Sequence, residues 1–298
     1  MKAMPPFSPG KILCPVDMSE LSDLALKYAH VGAHLFDATL TVLHAMHIEY
    51  PRYLSRDLID RMIEEMDGAK SAARQELKEH VHRVLGQAET KVRIDYQVTD
   101  SEPSDVIMQI LDENKADLVV MGTHGYSGFK HWMLGSVTES VLHRSKVPVF
   151  TIRRKINDFI DSTQPDERPN IRHILCPCNL TGAAGRALQV ASALADRFKA
   201  SLTALCSLES DKVTDETEFL AWIHKTVGTA QGIDPLVRRG EAAAQAISMA
   251  RELNCDLIVI GARHQAFEHG TVVGRTTELV LRHASVPVLA VPSHDEVL

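Results

Sequence analysis

The sequence has few cysteines and no long apolar run. Five cysteines in 298 residues are a small and odd number, which excludes a secreted disulfide framework. No window approaches the roughly 18 consecutive apolar residues of a membrane helix. The first residues, MKAMPPFSPGK, contain no apolar segment of the kind found in signal peptides. These absences predict a soluble, cytoplasmic protein without a membrane partner.

Basic residues are too few for a nucleic-acid-binding protein. The chain has 32 Lys and Arg against 39 Asp and Glu, a net charge of −7, whereas phosphate backbones require a basic surplus. We therefore expect no nucleic-acid partner. Hydrophobic residues make up 45% and charged residues 24%, a balance that is typical of globular domains.

Two segments of the chain repeat each other. KILCP at residues 11–15 recurs as HILCP at residues 173–177, an offset of 162. Near the end of each copy the offset is 139, so the second copy is 23 residues shorter, with the deletion between about residues 207 and 240. A polar stretch with two prolines, DSTQPDERPN, separates the copies. We predict a first domain at 1–154, a linker at 155–170 and a second domain at 171–298.

Apolar runs alternate with helical patterns in each copy, which predicts an α/β fold with a parallel sheet covered on both faces. The predicted strands of the first copy are 11–16, 39–45, 91–98, 117–121 and 147–152, and its predicted helices are 19–36, 55–85, 103–114 and 136–144. Ser19 is the expected N-cap of the first helix. The second helix is expected to break near Gly68, and its counterpart around 214–227 is shorter.

A glycine-spaced loop follows the fourth predicted strand. Gly122, Gly125 and Gly135 form the pattern G-x2-G-x9-G-S, which ends at Ser136, where a helix is predicted to begin. Glycines let the main chain approach a phosphate closely, and a helix N-terminus offers N–H groups and the positive end of its dipole. Ser136 and Thr138 add hydroxyl donors. The pattern therefore predicts a binding site for the phosphates of a nucleotide.

Other residues near this loop allow more than one interpretation. Asp17 directly follows the first strand, where it could hold a ribose hydroxyl or a metal-bound water, or cap the next helix. Ser136 and Thr138 could act as helix caps, which is compatible with phosphate binding. His131 and Trp132 could cover the nucleotide or pack on the scaffold.

Two patterns that suggest metal ligands lack partners. His30 and His34 are spaced to share one helix face, but no third ligand is evident, so we predict a solvated face. Cys176-Pro-Cys178 lacks the second pair of a zinc knuckle, and we expect these cysteines to pack in the core. The sequence therefore predicts no metal site of its own.

The loop pattern, with Pro15-Val16-Asp17 after the first strand and Val147-Pro148-Val149 at the last, resembles the ATP-binding class of universal stress proteins. The resemblance implies two tandem, doubly wound, five-stranded parallel sheets of the Rossmann-like, adenine nucleotide alpha hydrolase-like fold, with strand order 3-2-1-4-5. It also implies an intramolecular pseudo-dimer, in which residues 147–152 meet residues 286–291.

The resemblance further implies that the first domain binds ATP. From its position after the first strand, Asp17 could lie near a Mg²⁺ ion that accompanies the nucleotide. The implied contacts are Pro15, Val16 and Asp17 in the pocket wall, Ala45 beside the adenine, Met121 and Gly122 near the ribose, and Gly125, Gly135, Ser136, Val137 and Thr138 at the phosphates, with His124 nearby. The second copy departs from this pattern, because His264 matches Gly125, Arg275 matches Ser136 and Asn179 matches Asp17. We expect its degenerate loop to bind no nucleotide or a different ligand.

The loop lacks the lysine of a P-loop and an evident base that could activate water. These features favour nucleotide binding without turnover, in a stress-response regulator whose nucleotide orders the loop and changes a surface read by a protein partner. Two alternatives are a slow ATPase or nucleotide-transferring enzyme, and a nucleotide-free interaction scaffold or small-ligand carrier. Two chains could also associate as a homodimer.

Overall fold

The computed structural model describes most of both copies. The described residues are 7–46, 56–86, 91–123, 134–153, 169–208, 216–228, 232–262, 264–267 and 270–293, with backbone alone for 56–67, 264–267 and 270–272. None of the helices within these ranges combines the length and the apolar character needed to cross a membrane.

Strands and helices alternate throughout the described part of the chain. The elements of the first copy are β1 (Lys11–Val16), α1 (Glu20–Phe36), β2 (Thr39–Ala45), α2 (Arg56–Leu85), β3 (Ile94–Thr99), α3 (Pro103–Asp112), β4 (Leu118–Gly122), α4 (Ser136–Arg144) and β5 (Val149–Ile152). Those of the second copy are β6 (His173–Cys178), α5 (Gly182–Phe198), β7 (Ser201–Leu208), α6 (Glu216–Val227), β8 (Ile233–Arg239), α7 (Ala242–Glu252), β9 (Leu257–Ala262), β10 (His264–Phe267), β11 (Gly270–Val273), α8 (Arg275–His283) and β12 (Val288–Pro292).

One ten-stranded sheet runs through both copies, in the order β3-β2-β1-β4-β5-β12-β9-β6-β7-β8. Within each copy the strands are parallel and follow the order 3-2-1-4-5 when they are counted along that copy. The last strands, β5 and β12, pair antiparallel, with Phe150 opposite Leu289 and Thr151 opposite Val288. Each copy therefore contributes five strands in the predicted order, and the predicted meeting of residues 147–152 with residues 286–291 is confirmed, since it joins the two halves into one continuous sheet.

The antiparallel junction turns the two copies in opposite directions. Because parallel strands end at a common edge, the carboxyl ends of β1 and β4 lie at one edge of the sheet and those of β6 and β9 at the opposite edge. The hydroxyl of Thr151 donates a hydrogen bond to the carbonyl of Val288 at 3.2 Å, which adds a side-chain contact to the pairing of the main chains.

The first helix of each copy begins and ends in the same way. Ser19 caps α1 by accepting a hydrogen bond from the amide of Ser22, and Thr181 caps α5 through the amide of Ala184. Both helices end at a left-handed residue, Asp37 or Lys199. The predicted cap at Ser19 is confirmed, and the repeated capping shows that the copies share their local structure as well as their sequence.

Helix α2 is one continuous helix of 30 residues, so the predicted break near Gly68 is wrong. A Cβ at Gly68 would meet nothing within 4 Å, and one exposed glycine costs only about 1 kcal/mol relative to alanine in a helix. The buried Leu77 and Val81 hold the second half of the helix to the core. Its counterpart α6 has 12 residues, within the segment where the sequence placed the deletion.

A hydrophobic core layer lies on each face of the sheet, one beneath α1 and α5 and the other beneath α3, α4, α7 and α8. His30 belongs to the first of these faces and is completely buried in α1, whereas His34 is exposed. The prediction that both histidines lie on a solvated face is therefore wrong for His30. The spacing alone could not distinguish the buried side of α1 from the exposed side.

All five cysteines are reduced and buried. Burial raises the pKa of the Cys14 thiol and raises that of Cys255 to about 12. Since the thiolate is the reactive form, we expect the native protein at pH 8 to react with 5,5′-dithiobis(2-nitrobenzoate) far more slowly than the protein in guanidinium chloride. Release of about five equivalents of chromophore within seconds from the native protein would contradict this packing.

Candidate functional site

The sequence-predicted site lies where the strand order of the first copy reverses. From β1 the chain continues outward to β2 and β3 and then returns to place β4 on the other side of β1. Ile12 pairs with Leu118, so the ends of β1 and β4 lie side by side at the carboxyl edge. Ligands of open α/β sheets bind at such a reversal point. Asp17 and Gly122 are therefore brought to the same edge.

Helix α4 begins at this edge without a side-chain cap. Its N-cap is Gly135, which has extended backbone angles and makes no side-chain capping bond. The first N–H groups of a helix have no acceptor within the helix, so the amides of Ser136 and Val137 remain available to a ligand. Ser136 is exposed. This terminus combines donor groups with the positive end of the helix dipole.

Two main-chain hydrogen bonds fix both ends of the glycine-spaced loop. The amide of Gly135 donates to the carbonyl of Thr123 at 2.7 Å, and the amide of Thr123 donates to the carbonyl of Ile152 at 2.9 Å. Leu134 is buried in the core. Gly135 can therefore offer a ligand close approach but not its own amide. Residues 124–133, with the predicted His124 and Gly125 and with His131 and Trp132, lie outside the described residues.

The hydroxyl of Thr138 has a structural partner. It donates to the carbonyl of Gly122 at 2.8 Å, and Thr277 makes the equivalent bond to Gly261 at 2.9 Å in the second copy. Thr138 is also buried. The expectation that this hydroxyl adds a donor for phosphate is therefore replaced by a bond that ties α4 to the end of β4.

The glycine at the end of the fourth strand has a packing role in the second copy. A Cβ at Gly261 would lie 2.7 Å from the carbonyl carbon of Ala183, in the first turn of α5. Because Gly122 aligns with Gly261, we expect the same constraint from α1 at Gly122, which would explain this glycine without a ligand. At Gly274, which aligns with Gly135, a Cβ would meet nothing within 4 Å. Of the two glycines, Gly135 is therefore the more informative for ligand binding.

Asp17 forms a turn that leads into α1. Its Oδ1 accepts hydrogen bonds from the amide of Ser19 at 3.1 Å and from the hydroxyl of Ser19 at 2.6 Å. In the second copy, Oδ1 of Asn179 accepts from the hydroxyl of Thr181 at 2.6 Å. Both side chains thus accept a hydrogen bond from the hydroxyl of the helix N-cap, and Asp17 also accepts one from the N-cap amide. The turn accounts for an oxygen at this position, but not for the negative charge that distinguishes the first copy.

The remaining predicted residues differ in exposure. Val16 and Met121 are buried, and Met121 packs in the core layer beneath α3 and α4, so its side chain does not line an open pocket wall. Pro15, Ala45 and Val137 are half-buried. Because the side chain of Met121 is buried, only its main chain could contact a ribose at the predicted position.

The sequence analysis missed His44, which lies beside the same edge. His44 is the register partner of Val16, and its Nδ1 lies 3.0 Å from the carbonyl oxygen of Val16. Because a carbonyl oxygen only accepts, Nδ1 carries the proton and Nε2 of the neutral ring is an acceptor. In the sequence, only its position directly before Ala45, the residue predicted to lie beside the adenine, indicated that His44 is near the site.

The second copy has a hairpin where the first has its loop. Strands β10 and β11 pair antiparallel, with His264 opposite Val273 and Phe267 opposite Gly270. Strand β11 lies against α4 of the first copy. The hairpin was not predicted. Its residues align with positions 125–134 of the first copy, most of which lie outside the described residues.

The described residues include no cluster of three or more His, Cys, Asp or Glu side chains that could hold a metal ion.

Comparison with known proteins identifies the family. The sequence profile described as the universal stress protein family matches residues 9–153 and 170–292. Universal stress protein MJ0577 of Methanocaldococcus jannaschii is 28% identical over 159 residues, which cover 49% of this chain and 95% of that protein. Universal stress protein Rv2623 of Mycobacterium tuberculosis is 24% identical over 297 residues, covering 93% of this chain and 95% of the relative.

A solved structure supports the same fold for the whole chain. A universal stress protein from Archaeoglobus fulgidus superposes with a TM-score of 0.69 at 23% identity, covering 95% of this chain and 98% of that one. The family profile matches each copy in turn and accounts for most of the sequence. The chain therefore belongs to the universal stress protein family, as a member that carries two copies of the domain.

Proposed function

We propose that the first copy binds ATP and that the protein is a nucleotide-responsive regulator of the stress response. The observation that carries this proposal is the uncapped N-terminus of α4, which begins at the strand-order reversal beside Asp17. An anion placed there receives the amides of Ser136 and Val137 and the favourable end of the helix dipole. The missing Cβ of Gly135 leaves room for a phosphate to approach the main chain.

The second copy offers a different surface at the corresponding edge. Arg275 occupies the first position of α8, where the first copy has Ser136, Asn179 replaces the carboxylate, and His264 replaces Gly125. We propose one nucleotide per chain, bound by the first copy, with the boundary between the copies in the segment 155–170. Binding without rapid hydrolysis is favoured, because the glycine-spaced pattern lacks the lysine of a P-loop and an evident base that could activate water.

Identification of the bound molecule is the most direct test. The purified protein should be denatured and any released nucleotide identified by chromatography and mass spectrometry, and the stripped protein should then be titrated with ATP by calorimetry. We expect close to one ATP per chain and little phosphate release. Absence of measurable ATP affinity would contradict the proposal, and rapid phosphate release would favour the enzyme alternative.

The regulatory part of the proposal concerns the loop at residues 123–134. A hydrogen bond from the amide of Gly135 to the carbonyl of Thr123 joins the two ends of this segment at the proposed phosphate site. Bound ATP should therefore reduce amide hydrogen exchange in this segment more than in the β10–β11 hairpin. Equal exchange of the loop with and without ATP would separate nucleotide binding from regulation and contradict the regulatory role.

Substitution Asp17→Asn tests the charge without removing the turn. Asn179 shows that an amide oxygen serves the same turn, so we expect unchanged thermal unfolding. ATP affinity in the presence of Mg²⁺ should fall about tenfold, a loss of about 1.4 kcal/mol, and the difference between Mg²⁺ and EDTA should largely disappear. Calorimetric titration measures both effects, with Asn179→Asp as the matched control. Unchanged Mg²⁺ dependence in Asp17→Asn would rule out the metal role.

A further inference from the structure

An apolar cavity lies between the two copies, on the face of the sheet that carries α1 and α5. Its volume is about 70 Å³. Side chains of α1 and α5 form its walls, and its floor consists of residues from β4, β5, β9 and β12, including Phe150 and Leu289. It is separate from the nucleotide site, because α4 packs on the opposite face of the sheet.

A break in the repeat opens this cavity. Leu194 of α5 fills its side of the space, whereas the equivalent position in α1 is Gly32. A Cβ at Gly32 would lie 3.4 Å from Cδ1 of Ile12, an ordinary contact distance. The first copy could therefore accommodate a side chain at this position but has none.

Aromatic residues are concentrated around the cavity, although they make up only 5% of the chain. The aromatic residues in its lining are Phe7, Tyr28, Phe36, Phe150 and Phe198. The rings of Phe7 and Phe36 lie edge to face with centroids 5.8 Å apart. Rings that pack in this way can accept another ring by offset or edge contacts. An engineered apolar cavity of about 150 Å³ holds a whole benzene molecule. This cavity of about 70 Å³ can take only part of a ring, with the remainder at its opening to solvent.

One cation lies at the rim of the cavity. The guanidinium of Arg197 stacks 4.7 Å from the centroid of the Phe36 ring and donates a hydrogen bond to the carbonyl of Leu35. Phe36 and Leu35 both belong to the lining. These two contacts fix the position of Arg197. Within the described part of the chain no carboxylate forms an ion pair with it.

From these features we infer that the cavity binds a small aromatic carboxylate. The ring enters the apolar space beside Gly32, and the carboxylate reaches the guanidinium of Arg197, because arginine pairs well with carboxylates. A neutral apolar molecule would leave this cation unpaired, and an aromatic amine would be repelled by it. The inference does not depend on nucleotide binding, since the two sites share no residue.

Three compounds of similar size test the inference. Phenylacetate, 2-phenylethanol and 2-phenylethylamine should be titrated into the full chain by calorimetry and by saturation-transfer NMR. We expect saturable 1:1 binding in the order phenylacetate, phenylethanol, phenylethylamine. No saturable binding of phenylacetate, or equal binding of all three, would overturn the inference.

Two substitutions assign the binding to this cavity. Gly32→Leu places the residue of the second copy in the space and should abolish binding of phenylacetate. Arg197→Gln changes an exposed residue, so the fold is retained, and should weaken phenylacetate at least about tenfold while leaving phenylethanol unchanged. Arg251→Gln, at an exposed arginine of α7, is the matched control. If Arg197→Gln binds phenylacetate as well as the control does, the inference is wrong.

The residues that precede Phe7 are a competing occupant. A chain that lacks residues 1–6 should bind phenylacetate no more than about twice as tightly as the full chain. If binding appears only after this truncation, the cavity is occupied by the protein itself and the inference is overturned. ATP titration of Arg197→Gln should match the wild type, so that failure of either site is recognised independently.

Discussion

Substitution Ser136→Asp should reduce the affinity of the first copy for ATP about a hundredfold, which corresponds to about 2.7 kcal/mol. Ser136 is the first residue of α4 and is exposed, so the new carboxylate lies where a phosphate approaches the helix N-terminus. Like charges repel at this short distance, and the carboxylate also occupies the positive end of the dipole. Calorimetric titration of the nucleotide-free protein measures the loss.

The same substitution should leave the fold intact or slightly more stable, because an acidic residue in the first turn of a helix is favourable. Arg275→Asp is the matched control, since it introduces the same side chain at the first position of α8 in the second copy. We expect Arg275→Asp to leave ATP affinity unchanged. A hundredfold loss in the control together with an unaffected Ser136→Asp would assign the nucleotide to the second copy and refute our proposal.

Substitution Gly261→Ala should destabilise the protein by about 3 kcal/mol. Its new Cβ would lie 2.7 Å from both the carbonyl carbon and the carbonyl oxygen of Ala183 and 2.9 Å from the amide nitrogen of Ala184. These are main-chain atoms of α5, which cannot move aside as a flexible side chain would, and overpacking of a tight core typically costs 1–3 kcal/mol or more. The midpoint of urea unfolding measures the effect.

Gly274→Ala is the control for this experiment, because a Cβ at Gly274 meets nothing within 4 Å and the backbone angles of this residue suit alanine. We expect its unfolding midpoint to match the wild type within about 0.5 kcal/mol. If Gly261→Ala unfolded at the wild-type midpoint, α5 and β9 would not be in the close contact described above.

Much of the fold was predictable because local signals and the repeat agree. The bounds of β1, β2 and α4 match the structure, since each follows from an apolar run or from a glycine directly before a helix. The β10–β11 hairpin was missed, because the alignment with the first copy suggested a loop and only Gly270-Thr-Val-Val273 favours a strand. The pairing of β5 with β12 joins residues that are far apart in the chain. It was implied by the family resemblance, whereas periodicity within one copy carries no information about it.

The site was predictable in outline and not in detail. Strand order places Asp17, Gly122 and Ser136 at one edge. Each of these residues could be identified because it directly follows a predicted strand or begins a predicted helix. The bond from Thr138 to Gly122 joins residues 16 apart, and no local pattern indicates that this hydroxyl is already in use. Nor could composition reveal that His44 would bond to the carbonyl of Val16, because that contact exists only once β1 and β2 are aligned.

The antiparallel pairing of β5 with β12 places the carboxyl edges of the two copies on opposite sides of the molecule. Two identical domains joined in this way would present two equivalent binding surfaces on opposite sides, and could bind two copies of a partner. Here the edges still point apart, but Asp17 and Ser136 at one edge are replaced by Asn179 and Arg275 at the other. If only the first copy binds the nucleotide, as proposed, a partner that recognises the bound form has one binding surface per chain. Dilution would not dissociate the pairing, because both strands belong to one polypeptide.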